Sequence, residues 1–144
     1  MMISTAVLGA FARLPYPPPE IGGLIGGTDD EITEVFVDEG GESARPNRYR
    51  PKTCLLNSVI RHWSTAGIEF RGVFHTHFAF GYEMSDEDRQ YANTIMAAMP
   101  PRIGSLLFPV VVPGHAVSSY LMTRERGQQH LKLDSFHMFE EWRR

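Results

Sequence analysis

Between Lys52 and Val112 the apolar residues change period from helical to extended twice. Leu55, Leu56, Val59, Ile60 and Trp63 recur at helical spacing and stop at Gly67. Ile68 to Phe78 then reads as a strand entering the core. Ser85-Asp86-Glu87-Asp88 opens a second helix, whose Tyr91, Ala92, Ile95, Ala98 and Met99 share a face until Pro100-Pro101 end it, and Leu106 to Val112 is again a strand. Interspersed strands and helices predict a mixed α/β fold, a central sheet covered by helices.

The flanks extend this pattern. Ser4 caps a short helix carrying Ile3, Val7, Ala10, Phe11 and Leu14, ended by Pro15 to Pro19. Ile21 to Gly27 and Ile32 to Asp38 read as two strands joined by a turn at Asp29-Asp30. Gly40 to Pro51, with Arg45, Arg48 and Arg50, reads as a solvated loop. Ala116 to Thr123 is a strand after the Pro113-Gly114 turn, Leu131 to Leu133 a short edge strand, and Asp134 to Trp142 a terminal helix.

At 144 residues, with no linker or repeat, the chain is expected to form one domain over residues 1–144. A net charge of −3 supplies no electrostatic reason for nucleic acid or an anionic membrane as partner. No apolar run reaches the roughly 18 residues that span a bilayer, and the N-terminus lacks the basic segment of a secretion signal. The single cysteine, Cys54, forms neither an internal disulfide nor a CxxC zinc site, which favours a cytoplasmic setting. The six histidines are therefore the soft metal ligands available in number.

Two of them stand in Val73-Phe74-His75-Thr76-His77. Residues two apart in a strand face the same side, so His75 and His77 project together. Asp88 lies in the first turn of the next helix with Tyr91, Ala92 and Ile95 following at 3, 4 and 7 positions, which aims it inward with the apolar face. Two histidines and one carboxylate with an open fourth position is the composition of a catalytic zinc site. Hydrolysis also needs a carboxylate to carry the proton, and Glu20, ahead of Gly22, Gly23, Gly26 and Gly27, is the candidate general base. The Ser85 hydroxyl is placed to stabilise an oxyanion, a contact worth about 3 kcal/mol of barrier.

His75-x-His77, seven residues, then Ser85-x-x-Asp88, with Glu20 in Glu-Ile-Gly-Gly-Leu-Ile-Gly-Gly upstream, resembles the JAMM motif of the MPN⁺ metalloproteases, over roughly residues 3 to 125. The resemblance implies one catalytic zinc on His75, His77 and Asp88, with Glu20 as general base and acid and Ser85 on the tetrahedral intermediate. It also implies an α-β-α sandwich like that of cytidine deaminases, and a substrate with the extended C-terminal tail of a ubiquitin-like or sulfur-carrier-like protein, cut at a peptide or isopeptide bond. Many relatives have proline where this chain has Phe78 and Met84, so the loop from Phe78 to Met84 is a place where substrate fit differs. Met99 to Ser105 is too short for the second-zinc insertion of the ubiquitin-specific members.

Other readings of the same residues are a catalytically silent MPN scaffold that binds zinc, and a cupin-like β-barrel using His75-x-His77 with Glu83 and His115. Against the second, Glu83 lies one or more residues too far along and Tyr91 to Met99 reads as helix. Ser85 to Asp88 also has the composition of a simple capping box. His62, His115, His130 and His137 have no partner at ligand spacing and read as surface or loop residues. Cys54 reads as a small, partly buried helix residue, Tyr16 and Trp63 as packing residues. Whether the chain is a homodimer is open at this point.

Overall fold

The computed structural model describes residues 1–39, 49, 52–78 and 83–139. Its elements are β1 (Met2–Ile3), α1 (Thr5–Ala12), β2 (Gly22–Gly27), β3 (Glu31–Asp38), α2 (Thr53–Thr65), β4 (Glu69–Thr76), α3 (Asp86–Ala98), β5 (Ser105–Val112), β6 (Ala116–Glu125) and β7 (Gln128–Met138). The strands form one mixed sheet in the order β1-β3-β2-β4-β5-β6-β7. This is the expected mixed α/β class. Tyr91 to Ala98 is helix rather than strand, which removes the β-barrel alternative.

Local chemistry explains most boundaries. The Ser4 hydroxyl accepts from the Val7 N–H at 3.2 Å and starts α1. Gly67 takes φ +77° after α2, while the N–H groups of Gly67 and Ile68 return to the carbonyls of Ser64 and Trp63, a Schellman ending that a β-carbon would strain. β4 and β5 run parallel, joined through α3 as a crossover.

Each face of the sheet has its own core. Val7 and Phe11 of α1 pack with Ile25, Ile32, Phe74, Leu107 and Val111 on one side. Leu56 and Trp63 of α2, with Ala92 and Met96 of α3, pack with Leu24, Val73, Phe108 and Val110 on the other. A register shift between Ile25 and Gly26, opposite Arg71, turns Phe70 to the same side as Val73.

Several expectations need correction. Residues 134–138 belong to β7, not to a terminal helix, and the expected short edge strand at 131–133 is its middle. Arg126 and Gly127 both adopt positive φ, the conformation of a two-residue hairpin turn, so β7 pairs along the length of β6 and this pairing overrides local helical spacing. The rest of that expected helix, 140–142, lies outside the described residues. Met2–Ile3 adds an unexpected strand parallel to β3. Cys54 is exposed rather than partly buried, and Leu55 is exposed too, because α2 turns Leu56 and Trp63 toward the sheet. Tyr16 is 45% exposed, its ring edge-on to Phe78. Of the expected loop at 40–51, Tyr49 is buried and Asp38 accepts its hydroxyl at 2.9 Å; residues 40–48, 50 and 51 lie outside the described residues, as do 79–82 of the expected loop at 78–84.

Candidate metal centre

The C-terminal end of β4 is where two sequence-distant segments meet the histidines. His75 pairs with Gly22 of β2 and with Val110 of β5, and the His77 N–H donates to the Val111 carbonyl at 2.8 Å, extending the strand's register past its end. The two imidazoles consequently stand on one side with ring centroids 5.1 Å apart. Helix α3 begins beside them, placing Asp88 Oδ2 3.2 Å from His75 Nε2 and 3.7 Å from His77 Nε2.

Glu20 arrives from the segment ahead of β2. Thr76, fully buried between the two histidines in sequence, grips its neighbour: Thr76 Oγ1 accepts from the Ile21 N–H at 2.9 Å and donates to the Ile21 carbonyl at 3.3 Å. The Thr76 N–H donates to the same carbonyl at 2.8 Å. Glu20 is thereby held, 6% exposed, with a carboxylate oxygen and the two imidazole nitrogens all within 4.8 Å of one another. Glu20, His75 and His77 thus form a group able to hold a metal ion, with Asp88 against both histidines.

The donor atoms fit such an ion. His75 Nε2 is buried and forms no hydrogen bond of acceptable geometry, although Asp88 Oδ2 is so near. A buried imidazole nitrogen without a partner is costly unless a cation takes its lone pair. Ligands about 2.0–2.1 Å from a tetrahedral zinc are about 3.3 Å from each other. The separations of 3.2 and 3.7 Å bracket that edge, so Asp88 suits the third ligand position.

The two carboxylates are driven apart in proton affinity. Burial raises the Glu20 carboxyl above its ordinary range, outweighing the two imidazoles and the Tyr49 backbone N–H, which pull it down. Burial also acts to raise Asp88, but His75, His77 and the Ser85 N–H outweigh it and hold that carboxyl well below the usual range. The contact with Asp88 raises His77 above 6.5 despite its partial burial. Asp88 is thus the carboxyl that ionises more readily, and Glu20 the one whose hold on a proton is strengthened by burial.

Ser85 is the N-cap of α3 in a reciprocal capping box: its hydroxyl accepts from the Asp88 N–H at 3.1 Å, and Asp88 Oδ2 accepts from the Ser85 N–H at 3.1 Å. The capping reading is therefore correct, and the same box orients Asp88 Oδ2 toward the histidines. A small cavity beside the cluster is lined by Tyr49, His75, Met84, Asp88, Tyr91 and Phe108 among others. Gly22 makes room for Tyr49, since a β-carbon there would lie 2.6 Å from the Tyr49 ring and 2.4 Å from the Phe74 carbonyl.

All five residues singled out from sequence, Glu20, His75, His77, Ser85 and Asp88, occur here together. Thr76 and Tyr49 were missed, and only the alternation of the strand hinted at Thr76, as the residue facing away from the ligands. Among the remaining histidines, His62, His130 and His137 are exposed and His115 half-buried.

No family model matches the chain, and no curated protein matches it. Similar solved structures exist. A protein of Desulfitobacterium hafniense superposes with a TM-score of 0.60 at 19% identity, over 91% of this chain and 88% of its own. A protein of Salinibacter ruber does so with a TM-score of 0.51 at 16% identity, over 94% and 89%. At these identities the chain shares with them a fold.

Proposed function

We propose that this chain is a zinc-dependent peptidase or isopeptidase of the JAMM type, cutting at the C-terminal tail of a ubiquitin-like or sulfur-carrier-like protein. The observation that carries the reading is the meeting of Asp88, His75 and His77 at ligand separations around a buried, unbonded imidazole nitrogen, with a buried Glu20 beside them. His75, His77 and Asp88 would hold the ion. Zinc in such a set supplies a Lewis acid and lowers the pKa of a bound water to about 7.

The chain's own groups do the rest. Glu20, with its proton affinity raised by burial, takes a proton from water and returns it to the leaving amine. Thr76 keeps that carboxylate from swinging away by fixing Ile21. Ser85 Oγ accepts from Asp88 N–H, so its own hydroxyl proton is left to donate to a developing oxyanion at the exposed rim of the site. The α-β-α arrangement, with α1 on one face and α2 and α3 on the other, accords with the MPN fold.

The test uses zinc-loaded protein and a ubiquitin-like or sulfur-carrier-like protein extended by a short peptide beyond its tail, with release followed by mass spectrometry. Cleavage is expected, and Glu20→Gln should slow it by about 10²-fold or more while zinc stays bound. Unchanged cleavage in Glu20→Gln, or no stoichiometric zinc at neutral pH, defeats the reading. Zinc without cleavage points to the silent scaffold.

A further inference from the structure

At the other end of the sheet, two adjoining clefts share Asp29, Glu69, Arg102 and Ile103. Glu69 opens β4 and His75 nears its end, so roughly 20 Å of strand separates them from the metal centre. The larger cleft, about 730 Å³, has Ile60, Ile68, Phe70, Met99 and Ile103 on its walls, most of them half-buried extensions of the core beneath α2 and α3. The smaller, about 430 Å³, is polar and has Arg71 and Ser105 in its lining.

Arg71 is the unusual group. It sits on β4, 4% exposed, where the register shift opposite Ile25 and Gly26 turns the strand. Its Nη2 donates to Ser105 Oγ at 3.1 Å, and Nη1 comes no nearer than 3.8 Å to Asp29, a side chain 86% exposed. Its Nε is buried without a hydrogen bond. Guanidinium cannot shed its proton, so a buried one is retained at a cost unless an anion meets it. A solvent-exposed aspartate at 3.8 Å is a weak counter-ion. Arg102, at the junction of both clefts, faces Glu69 at 3.5 Å and is mostly exposed.

We infer that this double cleft is a second ligand site, which takes an organic acid: an oxyanion head on Arg71 with Arg102 beside it, and an apolar body among Ile60, Ile68 and Met99. The planar fork of Arg71 suits a carboxylate or phosphate oxygen pair. The apolar compartment explains why half-buried core residues line an open cleft instead of closing it.

The test titrates the full chain, in its metal-loaded form, with octanoate, with octanol as a neutral molecule of the same length, and with inorganic phosphate. Affinities come from calorimetry and location from backbone amide shifts. Octanoate is expected to move the amides of Gly67, Gly104 and Ser105 and not that of His77, and to bind at least about tenfold tighter than octanol or phosphate. Arg71→Met should weaken octanoate by about tenfold or more and leave octanol unchanged. Octanol or phosphate binding as tightly as octanoate, shifts confined to the metal centre, or an Arg71→Met variant with unaltered octanoate affinity overturns the inference. Should Arg71→Met not fold, the wild-type contrast between octanoate and octanol decides, with Arg102→Ala, an exposed position, as the second variant expected to weaken octanoate alone.

Discussion

Asp88→Asn and Glu20→Gln separate the two carboxylates of the candidate metal centre. Asp88 Oδ2 is 3.2 and 3.7 Å from the two imidazole nitrogens, close to the roughly 3.3 Å edge of a zinc tetrahedron. Removing a residue that only supports a ligand costs about 10–100-fold in metal affinity. Removing a ligand must exceed that range, so Asp88→Asn is expected to weaken zinc by more than about 100-fold, or about 2.7 kcal/mol. Glu20→Gln, acting beside the ion rather than on it, should change affinity by less than about tenfold. Asparagine retains a side-chain oxygen for the Ser85 N–H, 3.1 Å away in the native box, so α3 keeps its cap and lost affinity reports on coordination. Competition against a chromophoric chelator measures both constants, and circular dichroism in chelator checks folding. A larger loss for Glu20→Gln than for Asp88→Asn would refute the reasoning and make Glu20, His75 and His77 the ligand set.

The metal-free protein should have a stability optimum in mild acid. Asp88 is depressed from 3.8, so its contribution is present above about that pH and is lost below it; His77 is raised from 6.5, so its contribution is complete below about 6.5 and disappears as pH climbs through the folded value. Zinc requires neutral imidazoles, so the added stability from zinc should grow over that same climb. Thermal melts from pH 4 to 9, with chelator and with zinc, check both, and a metal-free melting temperature still rising from pH 6 to 8 would count against it. Arg124 donates to four carbonyls in the last turn of α3 and the segment after it, Met96 and Met99 at 3.0 and 3.4 Å and Pro100 and Ile103 both at 2.7 Å. Arg124→Ala should cost about 2–4 kcal/mol, a fall of roughly 7–13 °C for a chain this long, read by calorimetry.

Much of the candidate site was legible because its signals are local. The period of two that puts His75 and His77 on one side, and the Ser85 to Asp88 cap, depend on residues a few positions apart. The missed features depend on distant partners. Thr76 meets Ile21 across 55 residues, and Tyr49 fits beside β2 only because Gly22 leaves space. The C-terminal half of β7 departs from its local helical spacing because its conformation is settled by pairing with β6 and by positive φ at Arg126 and Gly127, and an arginine there gives no warning of such a turn.

The amino-acid sequence by itself determined the alternation of strand and helix, the absence of cysteine-built zinc, and the two histidines and one aspartate with donor chemistry and local spacing for a metal. Only the tertiary structure decided that Glu20 joins them, that Asp88 Oδ2 turns to the imidazoles at ligand separation, and that Arg71 lies buried at the far end of β4 with little to neutralise it. Helix caps and strand alternation arise from neighbours in the chain. The meeting of a β2 approach, a β4 end and an α3 start arises from sheet register, which is set by the pairing of strands far apart in sequence.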